Sequence, residues 1–334
     1  MKNGKEEMIR VCVPTERAIY QRNCENMADI NISVQYEGTG ELKAKLMEDG
    51  VTLGNEVSLQ NTGDSHYTGK ICHIPAGGWY TLMVTAVEAA SKEIEETALV
   101  EKVGVGDVFI TGGQSNSCNF GSGKTKAVSD KISAYDPNTK KWQHCEDSQP
   151  SKSGFHTGNG GGSPWPSMGD ALTEKTGLPV GFVSTGVGSA KIEELRTMHY
   201  FAIRDAIKDL SPYGYRAFLL HQGEADTDET APEDYRQSLQ SLIAQTREDA
   251  GYNLPWYIAQ VSYAWSNYNN TEKMEQMKQS QRQLCNGTDI FEGPTTDDLQ
   301  GEYRHKEDNL HMSKLGLLEH GKRWAEVIWK TMNG

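Results

Sequence analysis

Near residue 104 the apolar rhythm of the chain changes, and this change constrains the fold more than any other feature. Before it, apolar residues recur at every second position in short runs. Ile30, Ile32, Val34 and Tyr36 alternate with polar neighbours, as do Leu42, Ala44 and Leu46, and later Tyr80, Leu82, Val84 and Ala86. Such alternation marks strands with one buried face. Gly38-Thr39-Gly40 between the first two runs predicts a hairpin, and Asp49-Gly50 and Pro75-Ala76-Gly77-Gly78 mark further turns. Short strands punctuated by turn residues predict an antiparallel, immunoglobulin-like β-sandwich over residues 1–103. It carries no cluster of reactive groups, so packing is its simplest role and sugar binding its sharper one.

From residue 104 to 334, apolar runs of strand length alternate with amphipathic helical stretches. Strands are expected at 108–113, 180–183, 215–220 and 256–261. Helices are expected at 166–176, 190–210, 233–249, 271–284 and 313–332, the last with Leu317, Trp324, Val327 and Ile328 among its apolar residues. This alternation predicts a parallel α/β sheet with helices on both faces. Residues 119–164 are polar and glycine-rich and read as a long irregular insertion. Sheets of this kind bind ligands at the carboxyl ends of their strands.

The formal net charge of −13 argues against nucleic acid or an anionic lipid surface as partner. No run of 18 apolar residues offers a membrane span. Behind Met1-Lys2-Asn3-Gly4-Lys5-Glu6-Glu7 there is no apolar stretch of signal-peptide type, so the expectation is a cytoplasmic protein, or one whose leader has been removed. The six cysteines form no C-x-x-C pair, which suits free thiols in a reducing compartment.

The chemistry-bearing residues follow the expected strands. Val108-Phe109-Ile110-Thr111-Gly112-Gly113 leads into Gln114-Ser115-Asn116, a buried strand ending in a tight turn that presents a serine. Gly186-Val187-Gly188-Ser189 follows the second strand, and Gln222-Gly223-Glu224-Ala225-Asp226 the third; Asp308-Asn309-Leu310-His311 comes near the end. A serine nucleophile needs a base, and histidine has the right pKa. The histidine needs an acid to fix its tautomer, and Asp308 stands three residues before His311. The Ser115 N–H, the Gly188 N–H and the Gln222 amide are candidate oxyanion donors. Gln114, Asn116, Glu224 and Trp265 are candidates for substrate contact.

These four blocks, in this order, resemble the SGNH hydrolase superfamily, and most of all its sialate O-acetylesterase and acetylxylan esterase branch of carbohydrate esterases. The resemblance covers roughly residues 104–334. It implies a flavodoxin-like three-layer α/β/α domain that removes acetyl groups from carbohydrates without metal or cofactor. It assigns Ser115 as nucleophile, His311 as base, Asp308 as the orienting acid, and Ser115, Gly188 and Gln222 to the oxyanion hole. Ser117, Ser189, Leu195 and His221 stand where the family often has methionine, glycine, tryptophan and an aromatic residue; these departures bear on substrate identity.

Rival readings stay open at this point. His221 or His305 is an alternative base. Glu224 and Asp226 form an alternative carboxylate pair for acid–base work, against a loop-stabilising role. His144, Cys145, Glu146, Asp147 and His156 match no standard zinc spacing, which favours a solvated loop. Cys118 reads as a buried small hydrophobe rather than a redox thiol. Trp142, Trp165, Trp265 and Tyr268 read as sugar-stacking platforms or as packing residues. A carbohydrate-binding protein without turnover, or an esterase or thioesterase for another short acyl group, are the functional alternatives.

Overall fold

The computed structural model describes residues 9–88, 91, 93–152, 157–158, 160–262 and 271–333. It divides into two compact units: residues 1–107 with 212–214, and residues 108–211 with 215–334.

The first unit contains β1 (Ile9–Val13), β2 (Ile19–Gln21), β3 (Met27–Tyr36), β4 (Glu41–Glu48), β5 (Val51–Ser58), β6 (Gln60–Gly63), β7 (His66–Pro75) and β8 (Gly77–Val87). A further strand, β9 (Ile94–Gly113), gives residues 94–107 to this unit and 108–113 to the next. One antiparallel sheet has the order β1-β3-β7-β6. In the other, β4 pairs with β5 and β8, β8 pairs with β9, and β2 adds to β9 in parallel. Ile30, Ile32 and Val34 of β3 and Leu42, Ala44 and Leu46 of β4 are all buried, as the alternation predicts. The expected hairpin between β3 and β4 does not form, because the two strands belong to different sheets. Alternation reports which face is buried and not which neighbour a strand pairs with, so an arch and a hairpin read alike. The Asp49-Gly50 turn does close a hairpin, between β4 and β5, with positive φ at both residues (48° and 82°). Residues 212–214 join this unit through Tyr213, whose carbonyl accepts from the Gln21 N–H (2.8 Å) and whose ring meets Tyr20 edge-on.

The second unit adds β10 (Ile132–Asp136), β11 (Lys141–His144), β12 (Val180–Ser184), β13 (Ala217–His221), β14 (Trp256–Ala259) and β15 (Ile290–Glu292). Its helices are α1 (Trp165–Thr176), α2 (Ile192–Arg196), α3 (Tyr200–Leu210), α4 (Pro232–Ala250), α5 (Thr271–Leu284) and α6 (Lys314–Asn333). The strand order is β11-β10-β12-β9-β13-β14-β15. Setting aside the β10–β11 hairpin, the sequence reads second, first, third, fourth, fifth, which is the flavodoxin-like doubly wound order. β13, β14 and β15 extend from β9 in parallel. The chain therefore reverses direction across the sheet at β9, and that switch point is where such sheets open a crevice.

Parity along the strands builds two cores. Phe109, Phe182, Ala217, Leu219, Tyr257 and Ala259 pack with Trp165, Met168 and Leu172 of α1 and Trp324 and Ile328 of α6. On the alternate parity, Phe218 stacks on Trp256 at 4.2 Å, and Trp256 Nε1 donates to Thr246 of α4. Two elements differ from expectation. The stretch 190–210 breaks at residues 197–199 into α2 and α3, where the Thr197 hydroxyl donates to the Glu193 carbonyl (2.6 Å) and the backbone leaves helical values. The insertion 119–164 holds the β10–β11 hairpin; β10 is buried on both faces and includes Ser133 and Tyr135, so it shows no alternation. Among the described residues, no helix is long and apolar enough to cross a membrane.

Candidate active site

Ser115 opens a short 3-10 turn immediately after β9. Gly113 has φ of +124°, and a Cβ there would lie 2.0 Å from the His221 carbonyl oxygen, so this turn requires glycine. The Gln114 N–H donates to that carbonyl (3.0 Å), and the Ser117 N–H (2.8 Å) and hydroxyl (2.7 Å) both return to the Gln114 carbonyl. Trp165 Nε1 donates to the Ser117 carbonyl (2.8 Å), which ties the turn to the core. Ser115 is 5% exposed, and its hydroxyl makes no hydrogen bond among the described residues.

His311 and Asp308 meet as the spacing predicts. His311 Nδ1 lies 2.7 Å from Asp308 Oδ2, while Asp308 Oδ1 accepts the N–H groups of Leu310 (2.9 Å) and His311 (3.0 Å). Burial works against the Asp308 charge, but these three hydrogen bonds outweigh it and hold the carboxyl below its usual range. The His311 ring stacks on Phe120, with centroids 5.4 Å apart. The Ser122 N–H donates to the Met312 carbonyl (2.9 Å), so the loop after Ser115 runs beside the histidine loop. No hydrogen bond joins the Ser115 hydroxyl to His311 among the described residues. A cavity of about 490 Å³ opens beside the pair, walled by Phe120, Gly121, Lys124, Gly161, His305, Asp308 and His311 among others, but not by Ser115.

The other candidates divide between free and committed groups. Gly188 is half-buried, and neither its N–H nor that of Ser115 makes a hydrogen bond among the described residues. The Val187 N–H donates to the Gly113 carbonyl (2.9 Å), which keeps the Gly188 turn beside the serine turn. Gln222 differs from the oxyanion expectation. It is fully buried, and its Nε2 donates to Asp226 Oδ2 (2.5 Å) and the Ala190 carbonyl (3.1 Å), leaving no donor to face a ligand. Gln114 is committed through its oxygen: its Oε1 accepts from the N–H groups of Gly223 (3.2 Å) and Ala225 (3.1 Å). Glu224 is bound to His221 Nε2 (3.1 Å). Burial pushes the Glu224 carboxyl up, but the charge and hydrogen bond of His221 outweigh it and hold the group below its ordinary value. Asn116 is 4% exposed and adds a smaller pull on the same carboxylate. Trp265 lies outside the described residues, as do Tyr268 and His156.

The rival readings lose their geometry. His221 is fully buried on Glu224, and His305 Nδ1 is 3.7 Å from Asp308, beyond hydrogen-bond reach. Asp226 accepts from Gln222, the Ile192 N–H (2.9 Å) and the Thr230 hydroxyl (2.7 Å), so it pins loops rather than pairing with Glu224. His144 Nε2 contacts the Ser129 carbonyl, and Asp147 accepts from Thr125, Gln149 and Ser163, so these groups point to separate partners. Burial pushes the Cys118 thiol up to about 12. Trp142 and Trp165 are core residues.

Two contributors escape a sequence reading. Phe120 lies among Asn119, Gly121, Ser122 and Gly123 in the polar, glycine-rich stretch, and nothing in its spacing marks it as a neighbour of His311. Arg304 is 1% exposed and donates to the carbonyls of Leu299 (2.6 Å), Leu310 (2.8 Å) and Thr296 (2.9 Å) and to the Ser262 hydroxyl (2.6 Å). It holds the loop that carries Asp308 and His311.

Residues 105–330 match the family described as carbohydrate esterase, sialic acid-specific acetylesterase. No curated protein sequence matches the chain. The structure is similar to that of a carbohydrate acetylesterase from Xanthomonas citri, with 17% identity, a TM-score of 0.62, and coverage of 95% of this chain and 73% of that one. It is also similar to a protein of Arabidopsis thaliana, with 18% identity, a TM-score of 0.54, and coverage of 67% of this chain and 98% of that one.

Proposed function

The chain belongs to the sialic acid-specific acetylesterase family of carbohydrate esterases, and from that premise we propose that it removes O-acetyl groups from carbohydrates through an acetyl-serine intermediate. His311 takes the proton of Ser115, and the serine oxygen attacks the acetyl carbonyl carbon. The negative oxygen of the tetrahedral intermediate lies toward the free N–H groups of Ser115 and Gly188, each such donor typically lowering the barrier by about 3 kcal/mol. His311 then passes its proton to the leaving sugar oxygen. A water, deprotonated by His311, attacks the acetyl-serine carbonyl; His311 returns that proton to the Ser115 oxygen as its bond to the acetyl carbon breaks, and acetate leaves. Asp308 fixes the tautomer that leaves His311 Nε2 unprotonated at the start. Gln222 supports the loops and donates nothing to the oxyanion.

The observation that carries this reading is the 2.7 Å contact of His311 with an ionised Asp308, on a loop packed beside the turn of Ser115. Substrates to be compared are acetylated xylan, acetylated mannan and O-acetylated sialic acid, with acetate release as the readout. Ser115→Ala should lower kcat by roughly a millionfold, and normal acetate release by that variant would overturn the mechanism. A chain-length series of p-nitrophenyl esters separates an acetylesterase, whose rate falls sharply beyond short acyl groups, from an enzyme for longer acyl chains. Stoichiometric sugar binding with no ester hydrolysis would instead indicate a binding protein.

A further inference from the structure

In the first unit, β3 and β7 pair in register except at one point. Ala28 faces Ile74 and Ile30 faces Ile71, so Asp29 stands opposite two residues, Cys72 and His73. This is a β-bulge, and His73 takes the left-handed φ of +61° that makes it. A regular strand would send Cys72 and His73 to opposite faces. Here both are exposed, between the buried Ile71 and Ile74, and both lie on the side of Asp29. The Cys72 thiol, a His73 ring nitrogen and an Asp29 carboxylate oxygen all lie within 4.8 Å of one another.

We propose that this bulge is a zinc site, with Cys72, His73 and Asp29 as three ligands and water as the fourth. Zinc ligated by sulfur at about 2.3 Å and by nitrogen or oxygen at about 2.0 Å holds its donor atoms roughly 3.3–3.6 Å apart. Closing from the observed spacing takes about an ångström of movement by exposed side chains, which their rotamers supply. The donor set selects the metal: thiolate with imidazole suits zinc and not calcium or magnesium. On binding, Cys72 loses its thiol proton to solvent. The Asp29 carboxylate is already oriented, because its Oδ1 accepts the His73 N–H (3.1 Å). Lys70 Nζ, 3.5 Å from Asp29 Oδ2, is the positive charge the ion competes with. A bound ion would clip β3 to β7 at the one place where their ladder is interrupted.

The test is titration of the full chain with Co²⁺, followed by Zn²⁺. We expect one Co²⁺ per chain, a thiolate-to-cobalt charge-transfer band, and its loss when Zn²⁺ is added. Cys72→Ser should abolish the band. His73→Asn, which tolerates the left-handed backbone but does not replace the imidazole, and Asp29→Asn should each weaken binding more than about tenfold, a loss that removal of outer-shell partners alone can cause. Lys70→Met should tighten it. The absence of a charge-transfer band in the wild-type chain overturns the proposal, as does a band that survives in Cys72→Ser.

Discussion

Replacing Arg304 by methionine keeps a long side chain in place and removes the guanidinium. Four buried acceptors then lose this donor: the carbonyls of Leu299, Leu310 and Thr296 and the Ser262 hydroxyl; the Thr296 carbonyl still accepts the Leu299 N–H (3.1 Å), so three are left unmet. Each unmet buried acceptor costs about 1–3 kcal/mol. The low end of that range applies, because the variant no longer buries a charge, and relief of that desolvation offsets part of the loss. The expected destabilisation is therefore about 3 kcal/mol, or roughly 6–12 °C in Tm for a unit of this size. Leu310 immediately precedes His311, so the loop also loses its register; a displacement of about 1 Å costs roughly a hundredfold in rate. Differential scanning fluorimetry reads the first effect, and p-nitrophenyl acetate turnover well below the transition reads the second. Arg304→Lys should recover part of the stability, since an ammonium reaches fewer of the four acceptors. A methionine variant with wild-type midpoint and wild-type turnover would show that Arg304 does not hold this loop.

Two further outcomes are expected. Asp308→Asn keeps an oxygen for the N–H groups of Leu310 and His311 but turns a donor toward His311 Nδ1, so kcat should fall about ten-thousandfold with KM little changed; near-normal turnover would remove Asp308 from the mechanism. His320 is fully buried on α6, with neither ring nitrogen hydrogen-bonded among the described residues, and burial, together with the charges of His221, Arg304 and Arg323, holds its imidazole well below the usual range. The unfolded chain thus binds a proton that the folded chain refuses, so this contribution is intact above about pH 6.5 and is lost as pH falls below it. Urea midpoints at acidic and neutral pH should diverge less for His320→Leu than for wild type, and parallel losses would refute the assignment.

Strand and helix identity was legible wherever a single apolar face repeats, as in β3, β4, α4 and α6. Pairing was not: nothing in residues 27–48 distinguishes a hairpin from an arch between sheets, because both bury the same side chains. β10 was missed because it is buried on both faces and carries Ser133 and Tyr135, so the cue for a half-exposed strand is absent. The pairing of Asp308 with His311 was readable because it is local, three residues along one loop. The commitment of Gln114 and Gln222 was not, since it depends on Gly223, Ala225, Asp226 and Ala190, which only the folded sheet brings to them. Arg304 was invisible for the same reason, as three of its four acceptors are backbone carbonyls, which every residue type carries.

The packing of Trp324 against Trp165, at 5.9 Å, joins α6 to the residue that anchors the serine turn. Positions 115 and 311 are 196 residues apart (311 − 115), and at about 5–20 residues per second the ribosome needs roughly 10–40 s to travel between them. Throughout that interval the nascent polypeptide carries Ser115 without His311, its proposed base, and half of the aromatic anchor is still untranslated. On the mechanism proposed above, termination before residue 311 would release a product without its base, so ester cleavage waits on the last of the four sequence blocks.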